Sequence, residues 1–382
     1  MKKLLVVHNK YQFLGGEDIA VENEVNFLKK YFEVKVIYFD NNIDNIFKQL
    51  FWLLINYNYT SYKDLKFEIS NFKPEIIYIH NTWFKASLSI FHLIKNLDIE
   101  VFVKIHNFRF SCANTYFLKK HIINNKFCLA CGLKTKRFKI FNKYFQDSYL
   151  KSLFAIRFNK KYLKILKEHK LKILVLTEFS KKFLIQNGFN ESKITLFPNY
   201  LKQPDISKEK INEKYLVYAG RISDEKGVNE LIEGFCKSDL SDWKLKIVGQ
   251  GPEFAKLSQK FKNSNIIFHG ELTNSETLKI IENSSAVITA TKLFEGQPTL
   301  LCEASMYNKL SIFPKSGGMS EFFSQDYKFS FDQFDYLDLV KKINLLKDFE
   351  LTIKQGIENK KFISHYLDEE KLLKIFENLV NE

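Results

Sequence analysis

The 382-residue sequence has no apolar run approaching the roughly 18 residues that a membrane-spanning helix needs, so none is expected. Its start, MKKLLVVHNK, puts only the short run LLVV before His8, too little for the core of a signal peptide, and reads as a first strand. A cytoplasmic location follows as the expectation, with the five cysteines reduced. Sequence repeats and low-complexity tracts are absent, which excludes a repeat architecture. The first strand runs into HNKYQFLGGED and not into GxGxxG, which argues against a nicotinamide-dependent oxidoreductase.

What is present is an ordinary globular composition, 45% hydrophobic and 27% charged, in a chain long enough for two domains of roughly 150 to 200 residues. The formal charge of +14 is concentrated in one place. Between Lys104 and Lys172 lie eighteen Lys or Arg against only Asp147 and Glu168, and the remainder is close to neutral. Within residues 134–172, KTKRFKIFNKYF and YLKSLFAIRFNKKYLKILKEHK interleave cations with Phe, Tyr, Leu and Ile at near-helical spacing. That pattern suits either a helix lying on an anionic membrane surface or a core helix with a lysine-rich solvated face. No nucleic-acid-binding module accompanies the charge, and no nucleic-acid partner is expected.

Short β-branched runs alternate with helical stretches. KLLVVH, VKVIY, EIIYIH, VFVKIH and KILVLT occupy the first half, and YLVYAG, LKIVG, IIFHG, AVITA and LSIF the second. Such alternation implies right-handed crossovers and parallel sheets, so the fold class is α/β with two Rossmann-like, doubly wound domains. The segment 196–214, with two prolines and many charges, is the expected linker. It divides an N-terminal domain, 1–200, from a C-terminal domain, 201–365, and an amphipathic last helix of about 366–382 is free to pack back on the first.

Carboxyl ends of parallel strands are where such sheets bind ligands. In YAGRISDEKG the strand is followed by Arg221 and Lys226, a fork and a point charge suited to a diphosphate, or else cations paired with Asp224 and Glu225. In IVGQGPE, Gly249 and Gly251 either let a base or phosphate approach the backbone or make an ordinary turn. In LFEGQPTLLCEAS, Pro298 favours the first turn of a helix. Glu295 then lies in the loop before that helix and Glu303 about one turn inside it. Glu303 can accept two hydroxyls of a ribose or merely complement the helix dipole.

In order and spacing, YAGRISDEKG, IVGQGPE, FHGEL, LFEGQPTLLCEAS and SIFPKSGGMSEFF resemble the C-terminal domain of the family 4, GT-B fold, retaining glycosyltransferases. HNKYQFLGGED, VKIHNFRFSC, LTEFSKKFL and LFPN extend the resemblance through the first domain. The resemblance implies two domains facing a central cleft, with a nucleotide-sugar donor held by the second and a glycan or lipid-linked acceptor by the first. Arg221 and Lys226 would bind the donor diphosphate and Glu303 the ribose. Glu295, with the backbone of Gly296, Gln297, Pro298 and Thr299, would meet sugar and phosphates. Gly15 and Gly16 would approach the diphosphate, and His106 the sugar, in preference to His8 or His80. No DxD triplet is present, consistent with metal-independent chemistry and no cofactor beyond the substrate.

Cys112, Cys128 and Cys131 include a CxxC, with His121 as a possible fourth ligand, so a structural zinc is the alternative to three reduced thiols. Cys236 and Cys302 fall on helices and are expected in the core. The sequence thus leads to a cytoplasmic retaining glycosyltransferase acting in surface polysaccharide or lipopolysaccharide synthesis, peripheral on the inner membrane face. A sugar-nucleotide epimerase and a catalytically silent binding module of the same fold are the rivals.

Overall fold

The computed structural model describes residues 1–10, 16–41, 51–52, 54–108, 110, 149–204, 214–262 and 264–381. The chain divides into two compact units, Met1–Leu201 with Glu369–Glu382, and Lys202–Asp368.

In the first unit, β1 (Lys3–Lys10), β2 (Glu33–Asp40), β3 (Ile76–Ile79), β4 (Glu100–Ile105), β5 (Lys172–Val175) and β6 (Ile194–Leu196) form one parallel sheet of order β2-β1-β3-β4-β5-β6. Its described helices in this part of the chain are α1 (Gly16–Leu28), α2 (Tyr59–Phe72), α3 (Ser89–Ile94), α4 (Tyr149–Glu168) and α5 (Glu178–Gln186). Burial on both faces explains why the strands read as nearly continuous apolar runs. Leu5, Val7, Ile77, Ile79 and Val103 pack into one layer with Phe91, Tyr162 and Leu166. Leu4, Val6, Ile76, Tyr78 and Phe102 pack into the other with Val21 and Phe27 of α1.

Helix α4 carries the described part of the basic segment. Phe158, Tyr162, Leu163 and Leu166 are buried in the core, while Arg157, Lys160, Lys161 and Lys164 are exposed. The aromatic and aliphatic residues interleaved with these cations therefore serve packing, and the face left to solvent is basic. Residues 134–148 lie outside the described residues. No described helix is long and apolar enough to cross a membrane.

The second unit holds β7 (Tyr215–Ala219), β8 (Lys244–Val248), β9 (Ile266–Gly270), β10 (Ala286–Ile288), β11 (Leu310–Lys315) and β12 (Ser330–Asp332), parallel in the order β12-β11-β10-β7-β8-β9. Around it lie α6 (Val228–Cys236), α7 (Phe254–Lys260), α8 (Asn274–Glu282), α9 (Thr299–Met306), α10 (Tyr336–Asn344) and α11 (Phe349–Tyr366). Thr273 and Glu276 close a reciprocal capping box that starts α8. Cys302 is fully buried in α9, but Cys236 is exposed. Val228, Leu231, Ile232 and Phe235 form the buried stripe of α6, and Cys236 at its end falls off that stripe.

The last helix, α12 (Glu369–Asn381), belongs to the first unit. Leu372, Phe376 and Leu379 complete the layer begun by α1, with the Phe376 ring against those of Phe32, Tyr78, Phe102 and Phe197. Both ends are tied down. Glu369 accepts from Lys30 at 2.7 Å, Tyr31 at 3.0 Å and Tyr200 at 2.9 Å, which holds its carboxyl below the usual range. Lys2 and Lys172 donate to the terminal carbonyls of Val380 and Leu379 at 3.0 and 2.6 Å.

Candidate active site

Each sheet reverses its strand order once, between β1 and β3 and between β7 and β10. At such a switch point the two flanking loops leave in opposite directions and open a crevice at the strands' carboxyl ends. Arg221 and Lys226 follow β7, and Glu295 follows β10, so all three belong to the switch point of the second sheet.

The loops there are cross-tied. Lys226 Nζ lies 2.6 Å from Glu295 Oε1, which also accepts from Thr291 Oγ1 at 2.9 Å. Lys292, almost fully buried, reaches Asp224 at 3.0 Å and Glu230 at 2.6 Å. Burial alone would lower its pKa, but the bonds to Glu230 and Asp224 outweigh it and raise it. Asp224 is thus bonded to Lys292, and Lys226 to Glu295. The guanidinium of Arg221 is exposed and has no hydrogen-bond or ion-pair partner among the described residues.

The turn that follows β11 supports the Glu295 loop. Ser316 Oγ donates to Leu293 O at 2.7 Å, and Gly318 N to Glu295 O at 2.8 Å. Gly317, at φ +60°, comes so close that a Cβ there would sit 2.2 Å from Glu295 O. Gly249 and Gly251 turn out to serve the protein's own backbone. Cβ atoms on them would lie 2.0 and 2.2 Å from Gly220 O and Ile222 O, and Gly220 N and Ile222 N donate across to Val248 O and Gln250 O. At these two glycines the close approach is made by the loop of Arg221.

Helix α9 begins at Thr299, one residue after Pro298, which is the N-cap and not the first helical residue; no side chain caps the helix. Leu301 N and Cys302 N donate to Pro298 O, which leaves the N–H groups of Thr299 and Leu300 without a partner among the described residues and available to an acceptor. Gln297 is buried, with its side chain hydrogen-bonded to the Cys302 thiol. Gly296 is also buried. Glu303, on the second turn, has no hydrogen-bond partner among the described residues, and burial pushes its carboxyl up to about 7. An unpaired carboxyl in an apolar setting is suited to accepting hydroxyls.

The first sheet's switch point holds three histidines. His8 closes on Asp18 of α1 at 2.8 Å; His80 follows β3; His106 follows β4. His80 Nδ1 and His106 Nε2 are 2.9 Å apart, with the rings stacked at 5.3 Å between centroids. Burial, with Lys104 and His8 nearby, holds His106 well below the usual histidine range, and the same causes with His106 itself hold His80 there. His8 Nδ1, His80 Nε2 and His106 Nδ1 are buried without partners among the described residues. Below them Glu24 accepts from both Tyr78 and Lys104. His106 also lines a cavity of about 10 Å³ with Asn107, Phe108, Ser180 and Leu184.

Gly16 starts α1 and is exposed, with nothing within 4 Å of a Cβ built on it; Gly15 lies outside the described residues. So do Cys112, His121, Cys128 and Cys131. Among the described residues no three His, Cys, Asp or Glu are grouped to hold a metal ion. Sequence reasoning missed Thr291, Lys292 and Ser316. The Lys directly after AVITAT was the one available signal, since a cation at a strand's carboxyl end requires a partner.

Two parallel, doubly wound six-stranded sheets in one chain make this a GT-B fold. It aligns over its full length with HepE of Anabaena in complex with UDP-glucose, with a TM-score of 0.72, 14% identity and 100% of both chains covered. The sucrose-phosphate synthase of Thermosynechococcus elongatus gives 0.74 at 12% identity, covering 100% of this chain and 98% of that one. Residues 200–362 match the family described as Glycosyl transferases group 1, so the second unit carries a domain of that group. The chain is 33% identical over 146 residues to the amylovoran biosynthesis glycosyltransferase AmsD of Erwinia amylovora. That match spans 36% of this chain and 41% of AmsD.

Proposed function

We infer that the protein is a retaining, metal-independent glycosyltransferase of family 4. It moves a sugar from a nucleotide-sugar donor to a glycan or lipid-linked acceptor in surface polysaccharide or lipopolysaccharide synthesis. One observation carries this reading: among the described residues an unpaired guanidinium, an ammonium held by a single carboxylate, an uncapped helix start and an unpaired carboxyl all belong to the loops leaving β7 and β10 or to the helix α9 that the second loop enters. These are the groups a nucleoside diphosphate requires. The likeness to AmsD supports the polysaccharide setting, and the UDP-glucose in the HepE complex makes uridine diphosphate sugars the first donors to test.

In this reading Glu303 accepts the vicinal hydroxyls of the ribose, and Arg221, Lys226 and the first N–H groups of α9 face the diphosphate. As the bond from the anomeric carbon to the leaving phosphate breaks, negative charge builds on that phosphate. Fixed cations and oriented N–H groups stabilise it without a metal, each typically by about 100-fold in rate. Glu295 holds Lys226 in place beforehand and meets the sugar, as does His106. The exposed cations of α4 give the enzyme an electrostatic attachment to anionic lipid, peripheral on the inner face.

The test is a thermal-shift panel of nucleoside diphosphates with and without their sugars, followed by nucleotide release with the selected donor. Selective stabilisation by one base, and release that depends on added acceptor, are expected. Interconversion of the donor sugar with no nucleotide released would instead mark an epimerase, and no nucleotide binding at all would sink the reading.

A further inference from the structure

His106 is half-buried as a residue. Its Nε2 is bonded to His80, and its Nδ1 is buried with no hydrogen-bond partner among the described residues. Its chemistry is therefore tied to that of His80. We propose that His80 is a positioning residue for His106, holding it in one ring orientation and one tautomer through the Nδ1–Nε2 hydrogen bond. The proposal rests on the reading above in one respect, that His106 meets the sugar.

At 2.9 Å one proton lies between the two rings. With both imidazoles neutral, whichever ring donates leaves its own outer nitrogen bare and the other ring's outer nitrogen protonated. His106 Nδ1 is thereby fixed as donor or as acceptor by the choice His80 makes. The surroundings oppose an extra proton. Lys104 on β4 and the His8 ring face the pair, and the carboxylates bonded to these two are already engaged, Asp18 by His8 and Glu24 by Lys104 and Tyr78. Behind His80 the Tyr78 ring packs at 4.3 Å between centroids, and His8 stands edge-on at 6.2 Å, so His80 has little freedom to turn. A ring held this way on its inner side holds its neighbour, and a second-layer partner that fixes tautomer and orientation is a known means of tuning a histidine.

The experiment is ¹⁵N NMR of the histidine-labelled full chain from about pH 5.5 to 8, on the parent, His80→Leu and His80→Asn. The Asn side-chain amide can take the place of Nδ1, donating through its nitrogen or accepting through its oxygen, whereas Leu offers no polar atom. In the parent, both rings should show one protonated and one bare nitrogen throughout. In His80→Leu the His106 signals should average between tautomers or titrate, and in His80→Asn they should stay as in the parent. Turnover of UDP-glucose, as the probe donor, should fall about tenfold or more in His80→Leu with KM unchanged and recover in His80→Asn. Titration of both rings in the parent, an unaltered His106 spectrum in His80→Leu, or equal turnover in the two variants would overturn the proposal. Parent-like turnover in His106→Ala would remove the sugar contact and leave the pairing, read by NMR alone, standing.

Discussion

Gly317→Ala tests how the Glu295 loop is held. At φ +60° an alanine costs about 1–2 kcal/mol in backbone strain. Its Cβ would lie 2.2 Å from Glu295 O and 2.7 Å from Glu295 N, and relieving an overlap with backbone adds about 1–3 kcal/mol. The expected loss is about 2–5 kcal/mol, and at about 2–4 °C per kcal/mol in a unit of this size the melting transition should fall by roughly 10 °C. Trp243, buried against Phe349 and the sole tryptophan of the second unit, reports that transition by fluorescence once Trp52 and Trp83 are replaced by Phe. Gly16→Ala is the control, because its Cβ meets nothing; its stability should stay within about 0.5 kcal/mol of the parent. Melting of Gly317→Ala within about 1 °C of the parent would refute the argument that this glycine exists to let the loop close.

Other expectations follow from the same geometry. Arg221→Ala should lose about 100-fold in turnover with its melting unchanged, since the guanidinium has no partner among the described residues; Lys226→Ala should lose as much, and parent-rate transfer by either would remove the diphosphate assignment. A carboxyl raised to about 7 is most at home protonated, so the parent should match Glu303→Gln in stability below about pH 4.5 and fall progressively behind it up to about pH 7; parallel stability curves would mean Glu303 is not desolvated. Sedimentation with anionic vesicles should weaken with salt and on neutralising Lys160, Lys161 and Lys164, and no binding at low salt would discard the membrane contact.

Ten of the twelve described strands were legible as β-branched runs, and the two that were not explain themselves. β6 and β12 are three residues long and lie at sheet edges, and Ile194–Leu196 and Ser330–Asp332 are too short to stand out as runs. The loops that bear Arg221, Lys226 and Glu295 were legible because strand ends mark them. How they are tied was not, because ion pairs such as Lys292 with Glu230, or Lys226 with Glu295, join residues some sixty apart by routes that only the β7–β10 pairing creates. Gly249 and Gly251 show the same limit: glycine after a strand signals a close approach, and the approaching group was the neighbouring main chain. The family resemblance singles out His106 and not His80, whose partnership with His106 depends on β3 lying beside β4.

The return of α12 to the first unit has a consequence for synthesis. Residues 202–368 form one uninterrupted stretch, whereas the first unit is assembled from two stretches separated by the whole of the second. While the ribosome is still making the chain, the layer around Tyr78, Phe102 and Phe197 lacks Phe376 and stands open to water. The later-made unit can finish folding first, and the earlier-made one must wait for it with an unsealed apolar surface.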